Sequence, residues 1–353
     1  MVDASKPQRL RVGVVGLGRL WESRHKPSLL RLRDRFRITA LYDQVARRAE
    51  IEAAQLGCAA SEGLTSLIER PDVDVVYLLS PQWFGLHPAH LACEAGKPVY
   101  CAVPLSGDLA ELERLAARVE ATGGVFMPEF ARRCYPATLR LQELLATKLG
   151  QPRLVVGHSR LAGFDRYAQP GPTTQVVPVP LSIDPGSYLL DWCAFILRGL
   201  PTSIASSRAL VLPARGDAPD FESFHAAFPG GATAQISYGR YHREEWGEAV
   251  KFLPPAGLQV FAERGAAWLE PPDRIQWWDA EGAHEERLAA EPSVGDVLNE
   301  QFHRLVHTGR SLAPTIRDAL EIARLVHDLD RSQAAGIVVE RGGRPQAPHA
   351  PSS

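Results

Sequence analysis

Lysine and cysteine are both scarce in this chain of 353 residues. Of its 39 basic residues only Lys6, Lys26, Lys97, Lys148 and Lys251 are lysines, and the arginines are scattered, so the basic stripe of a nucleic-acid groove is missing. Asp and Glu number 41, the net charge is -2, and no nucleic-acid partner is expected. The 5 cysteines (Cys58, Cys93, Cys101, Cys134, Cys193) are odd in number and lack C-x-x-C spacing, which argues against a disulfide framework and against a zinc site. Long apolar runs are also missing. Val73 to Leu79 contains Asp74 and falls well short of the roughly 20 residues of a membrane span. Lys6, Arg9 and Arg11 lead into a strand and a glycine turn, and no cleavable secretory segment is read. The expectation is a globular protein of a reducing cytoplasm, with no membrane partner and no metal.

The chain has 45% hydrophobic residues, enough for two domains with a large core. From residue 11 to about 150, short β-rich runs alternate with helical patterns, which predicts a doubly wound parallel sheet covered on both faces. The strands read are Arg11 to Val15, Arg37 to Leu41, Val73 to Leu79, Pro98 to Cys101 and Val125 to Met127. Helices are read at Leu109 to Ala121, opened by Asp108 and Glu111 at capping-box spacing, and at Pro136 to Leu149.

From Arg153 the period shortens toward two, in runs at Arg153 to Leu161, Ser203 to Leu212, Ser223 to Phe228, Thr233 to Tyr238, Gln259 to Arg264 and Arg274 to Trp278. These predict one large open, mostly antiparallel sheet. A helix over Pro185 to Arg198 interrupts it, and helices near Val294 to His307 and Pro314 to Ala334 follow. The tail, 342–353, reads as disordered.

The first strand runs into Gly16-Leu17-Gly18-Arg19-Leu20 and a helix. Such a turn brings backbone N–H groups and a helix start against a pyrophosphate, because glycine has no side chain to block the approach. Gly16 and Gly18 fill the first two positions of G-x-G-x-x-G, and Trp21 stands at the third, so either the helix stands off the strand or the indole covers the turn. Asp43, just past the second strand, suits the ribose hydroxyls of NAD, while Arg47 and Arg48 are able to reach the 2′-phosphate of NADP.

The chain resembles the Gfo/Idh/MocA family, the relatives of glucose-fructose oxidoreductase and inositol dehydrogenase. Besides the glycine turn, the resemblance is carried by Asp72 to Val76 leading to Pro81 and His87, by Ala95 to Val99, by Phe130 to Arg133 with Pro136, and by Asp184 to Asp191. It implies a Rossmann domain over 10–130 and a C-terminal α/β substrate and oligomerisation domain over 131–341, whose open sheet joins a homodimer or homotetramer. It also implies hydride transfer between NAD(P) and a sugar, polyol or related small molecule. Gly16, Gly18, Arg19, Leu20, Asp43, Ser80, Pro81, His87, Pro104 and Arg133 are then expected at the cofactor.

The family's Glu-Lys-Pro falls here on Ala102, Val103 and Pro104, and valine has no titratable group to exchange a proton. Lys97 belongs at the far end of its strand. The remaining acid/base candidate is Tyr188, which with Asp184 and Asp191 falls at i, i+4 and i+7 on one helix face. The alternatives are a catalytically silent dinucleotide- or ligand-binding protein, and non-redox chemistry with a recycled cofactor.

Other residues have plainer roles to weigh. His87 also reads as a helix start, and Gln82-Trp83-Phe84 as packing under a loop. The face of His158 depends on strand register. His303 and His307 lack a third ligand, and Trp246, Trp268, Trp277 and Trp278 read as core or interface.

Overall fold

The computed structural model describes residues 9–79, 85–102, 105, 107–162, 185–211, 219–242, 257–289, 291–309 and 313–341. The expected tail therefore lies outside the described residues. The chain forms two compact units, one of Met1–Leu139, Pro272–Arg274 and Arg287–Arg324, the other of Arg140–Pro271, Ile275–Glu286 and Leu325–Ser353.

The first unit is built on β1 (Leu10–Val15), β2 (Phe36–Tyr42), β3 (Ala59–Ala60), β4 (Val75–Leu78), β5 (Val99–Cys101) and β6 (Phe126–Pro128), in the order β3-β2-β1-β4-β5-β6. All pairings are parallel. This is the doubly wound dinucleotide-binding order, with its switch point between β1 and β4. The inner strands are apolar because both faces are covered: Val12, Val14, Val75, Val76, Tyr77, Val99 and Tyr100 have no exposed surface.

Helices α1 (Lys26–Arg31), α2 (Ala46–Leu56), α3 (Leu64–Ile68), α4 (His87–Glu94), α5 (Leu109–Thr122) and α6 (Pro136–Leu144) connect and follow the strands. As its spacing predicts, Asp108 caps α5 by accepting the Glu111 N–H at 2.9 Å. The helix expected to run to Leu149 turns from α to π geometry over Leu145–Leu149.

The second unit holds a nine-stranded sheet: β7 (Pro152–Ala162), β8 (Ser203–Ala209), β9 (Phe221–Ala227), β10 (Thr233–His242), β11 (Gly257–Ala262), β12 (Gly265–Glu270), β13 (Arg274–Asp279), β14 (Gly282–Arg287) and β15 (Val339–Glu340). Its order is β14-β13-β12-β11-β7-β10-β9-β8-β15. β7 pairs β10 in parallel, and β8, β9, β10, β11, β12 and β15 make antiparallel pairs. One face carries the buried Val155, Ile236, Leu258 and Val260. The opposite face of the central strands carries Leu154, Val156, His158, Thr233, Gln235, Ser237, Gln259 and the exposed Phe261. Three of these strands escape the sequence reading, among them β15, only two residues long. β12 follows a two-residue turn, Glu263-Arg264, with none of the Gly or Asn that marks a hairpin. β14 is a polar edge strand with no alternating pattern.

Three further helices complete the fold: α7 (Ser187–Ile196), α8 (Val294–Thr308) and α9 (Ile316–Ala335). Although α8 lies almost 300 residues along the chain, its Leu298 and Phe302 enter the core around β1, β4 and β5. Asn299 of α8 accepts the Tyr77 hydroxyl at 3.0 Å and donates to Ser28 Oγ at 2.8 Å, with all three groups buried.

Also on α8, His303 is buried against the edge of Phe36, with ring centroids 5.5 Å apart. Burial first, and then the nearby His307 and Arg35, push its pKa from 6.5 down to about 4. The folded chain thus holds a neutral imidazole that the unfolded chain protonates near 6.5. Stability should fall as pH drops below about 6.5, with the loss complete near pH 4 and amounting to about 3 kcal/mol. Denaturation midpoints across this window, compared with those of His303→Leu, check it; an equally steep decline in the variant would assign the effect elsewhere.

Candidate dinucleotide site

The site begins where β1 ends. Gly16 has φ +94°, a conformation that side chains rarely adopt, and its N–H bonds the Tyr42 carbonyl at 2.8 Å, tying the turn to the end of β2. At Gly18 a side chain would meet nothing within 4 Å, so the backbone there faces open space. Arg19 is exposed and Leu20 half-buried above it.

Trp21 does not cover the turn at Gly18. Its indole has no exposed surface and lies in the core beneath the helix, with Nε1 donating to Glu52 Oε1 at 3.1 Å. Lys26 Nζ reaches the same carboxylate oxygen at 2.6 Å. The helix makes room by opening with a π turn, Trp21–His25, closed by the Lys26 N–H on the Trp21 carbonyl.

Asp43 is buried at the carboxyl end of β2. Oδ2 accepts the Leu17 N–H at 2.8 Å, Oδ1 accepts the Val45 N–H at 2.9 Å, and the Arg48 guanidinium lies 3.4 Å from Oδ1. Gly16, Gly18 and Asp43 are thus brought together at the carboxyl ends of β1 and β2.

The remaining expected residues divide. Ser80, Pro81, Gln82 to Phe84, Val103, Pro104, Asp184 and Trp246 lie outside the described residues. His87 is the exposed first residue of α4. Arg133 pairs with Asp318 at 3.2 Å within the first unit and lies over the Phe130 ring. Lys97 precedes β5 and donates to the Arg70 carbonyl at 2.6 Å, at the amino end of the sheet. Tyr188 is half-buried on α7 and Asp191 is 1% exposed. His158 shares the half-buried sheet face with Leu154 and Val156. Trp277 is buried, whereas Trp268 and Trp278 are exposed and meet edge to face.

Sequence reasoning missed a buried ionic cluster beside this site. Glu129 directly follows β6, and its N–H bonds the Cys101 carbonyl at the end of β5. One carboxylate oxygen bonds His25 Nε2 and the Tyr100 hydroxyl, each at 2.8 Å; the other pairs with Arg24. Burial opposes the charge, but His25, Arg24 and these hydrogen bonds outweigh it and hold the Glu129 pKa down at about 2. No spacing in the sequence announces the cluster, since Arg24 and His25 are joined to Glu129 only by the parallel sheet. In the second unit Asp279, Glu281 and His284 bring ligand atoms within 4.8 Å of one another, with the Lys148 ammonium 2.8 Å from Glu281 Oε2. Among the described residues, no helix is long and apolar enough to cross a membrane.

Residues 10–130 match the model of an oxidoreductase family described as having an NAD-binding Rossmann fold. Inositol 2-dehydrogenase 4 of Saccharopolyspora erythraea is 34% identical over 173 residues, 48% of this chain and 50% of that protein. The dehydrogenase aclE of Aspergillus oryzae is 29% identical over 221 residues, 58% of this chain and 59% of its own. The chain spans about half the length of the relatives it matches. Among solved structures, aldose-aldose oxidoreductase from Caulobacter crescentus has a TM-score of 0.80 at 19% identity, covering 95% of this chain and 100% of that one. This likeness extends the shared fold over both units.

Proposed function

We propose that this chain, whose residues 10–130 match the Gfo/Idh/MocA oxidoreductase model, is an NAD(P)-dependent oxidoreductase acting on a sugar, polyol or related small molecule. The observation that carries this reading is the turn itself, with Gly16 at φ +94°, open space at Gly18 and a buried Asp43 closing it. The names of the relatives, an inositol dehydrogenase and an aldose oxidoreductase, support the substrate class. Bound nicotinamide would supply or accept the hydride. Gly16 and Gly18 admit the pyrophosphate, Asp43 takes the adenosine ribose, and Tyr188 exchanges the hydroxyl proton with Asp191 holding it.

A second reading, a catalytically silent dinucleotide-binding protein, is favoured by Val103 at the position of the family's lysine, next to the buried Ala102. One experiment separates the two. The purified chain is titrated with NADH and NADPH by fluorescence, then followed by nicotinamide absorbance against polyols, sugars and imines. Binding with turnover supports the enzyme, binding without turnover supports the silent protein, and no binding sinks both. Light scattering on the same samples reads assembly, where a dimer or tetramer through the open sheet is expected and a monomer removes that part of the reading.

A further inference from the structure

A guanidinium beside the ribose position bears on which dinucleotide the site takes, an inference that rests on the dinucleotide reading above. An acidic residue after the second strand selects NAD by bonding the ribose hydroxyls, and its charge also repels a 2′-phosphate. Asp43 is not a bare carboxylate of that kind. Its oxygens are already bound to the Leu17 and Val45 N–H groups on either side of the turn. The Arg48 guanidinium, 3.4 Å from one oxygen and 3.5 Å from the other, offsets its charge.

The two partners differ in freedom. The Asp43 side chain is 5% exposed and fixed by the backbone, whereas that of Arg48 is 51% exposed and holds the carboxylate only at long range. Arg47, its neighbour, is engaged with Glu50 at 3.2 Å. Both arginines lie in the first turn of α2, which has no acidic residue and no side-chain cap. Cations are disfavoured at a helix start and anions are stabilised there, so an anion brought to Arg48 gains from both the guanidinium and the helix.

We propose that Arg48 is a specificity-determining residue that admits NADP(H) alongside NAD(H). With NADP(H) the guanidinium leaves its long contacts with Asp43 and pairs with the 2′-phosphate. With NAD(H) it stays over Asp43 while the ribose hydroxyls bond the carboxylate. The guanidinium is the group suited to this exchange, because its planar fork matches phosphate oxygens two at a time.

The test titrates the full chain with NADH and NADPH, native and as Arg48→Ala and Arg48→Lys. The native Kd values are expected within about tenfold of each other. Arg48→Ala should weaken NADPH by about tenfold or more, the loss of hydrogen bonds to a charged group, and move NADH by less than about threefold. Arg48→Lys should recover part of the loss, as a point charge without the fork. Native protein that binds NADH but discriminates against NADPH by more than about a hundredfold would overturn the proposal. So would an Arg48→Ala variant that weakens both cofactors alike. If the native protein binds neither, the dinucleotide reading itself fails, an outcome distinct from the loss of NADPH alone.

Discussion

Tyr188→Phe is expected to lower turnover by about 10²- to 10⁴-fold while leaving the Kd for NADH unchanged, the loss associated with removing a positioned acid or base. The expectation rests on the make-up of α7. Leu189, Leu190, Trp192, Cys193 and Ile196 are all buried, and in this apolar helix Asp191 is buried too, at 1% exposure. A carboxylate is not placed in such surroundings without a partner. Tyr188, half-buried and three residues earlier, lies on the same face of the helix as Asp191. A phenol with an ordinary pKa near 10 is able to donate a proton to a developing alkoxide. If the pair is purely structural, Tyr188→Phe lowers thermal stability and leaves kcat within about twofold of native, which would end the catalytic reading. Asp191→Asn separates the roles further: a positioning carboxylate moves the pH profile of kcat, whereas a packing residue does not.

Glu129→Gln should destabilise the first unit by about 3–5 kcal/mol, the typical consequence of removing one partner of a buried ion pair. The carboxylate is 5% exposed and receives His25, Tyr100 and Arg24 together. With a neutral amide there, Arg24 loses its charged partner. Tyr100→Phe removes a single hydrogen bond to a charged acceptor and should lower stability by only about 1.5–3 kcal/mol. Denaturant midpoints for the two variants and the native chain decide it, and a Glu129→Gln change no larger than that of Tyr100→Phe would count against the ionic cluster. The native chain should also weaken as pH falls from about 4.5 toward about 2, because Glu129 ionises in the folded state well below its ordinary value.

Much of the first sheet could be read before any coordinates. Five of its six strands are near-continuous apolar runs bounded by turns, with observed bounds within about two residues of those read, while the two-residue β3 was not read. The places of the glycine turn after β1 and of Asp43 after β2 were equally legible, because strand, glycines and acid follow in a fixed order. Trp21 was legible only as an anomaly. Its accommodation depends on Glu52, 31 residues later in α2, and on a π turn that no residue pattern signals. Glu129 was missed for the same reason, since its partners lie 104 and 105 residues earlier. In the second unit, β12 and β14 were lost where the turn residues or the edge position removed the usual cue.

The membership of α8 in the first unit bears on how the protein is made. A ribosome releases residues 10–130 long before it reaches Leu298, Asn299 and Phe302, yet these close the core behind Tyr77 and Tyr100. Until then this first segment emerges with an apolar flank uncovered, and translation of eight strands of the second sheet, β7 to β14, intervenes. The nascent chain has to shield that flank throughout, and a fragment cut after residue 139 inherits the same exposed surface permanently.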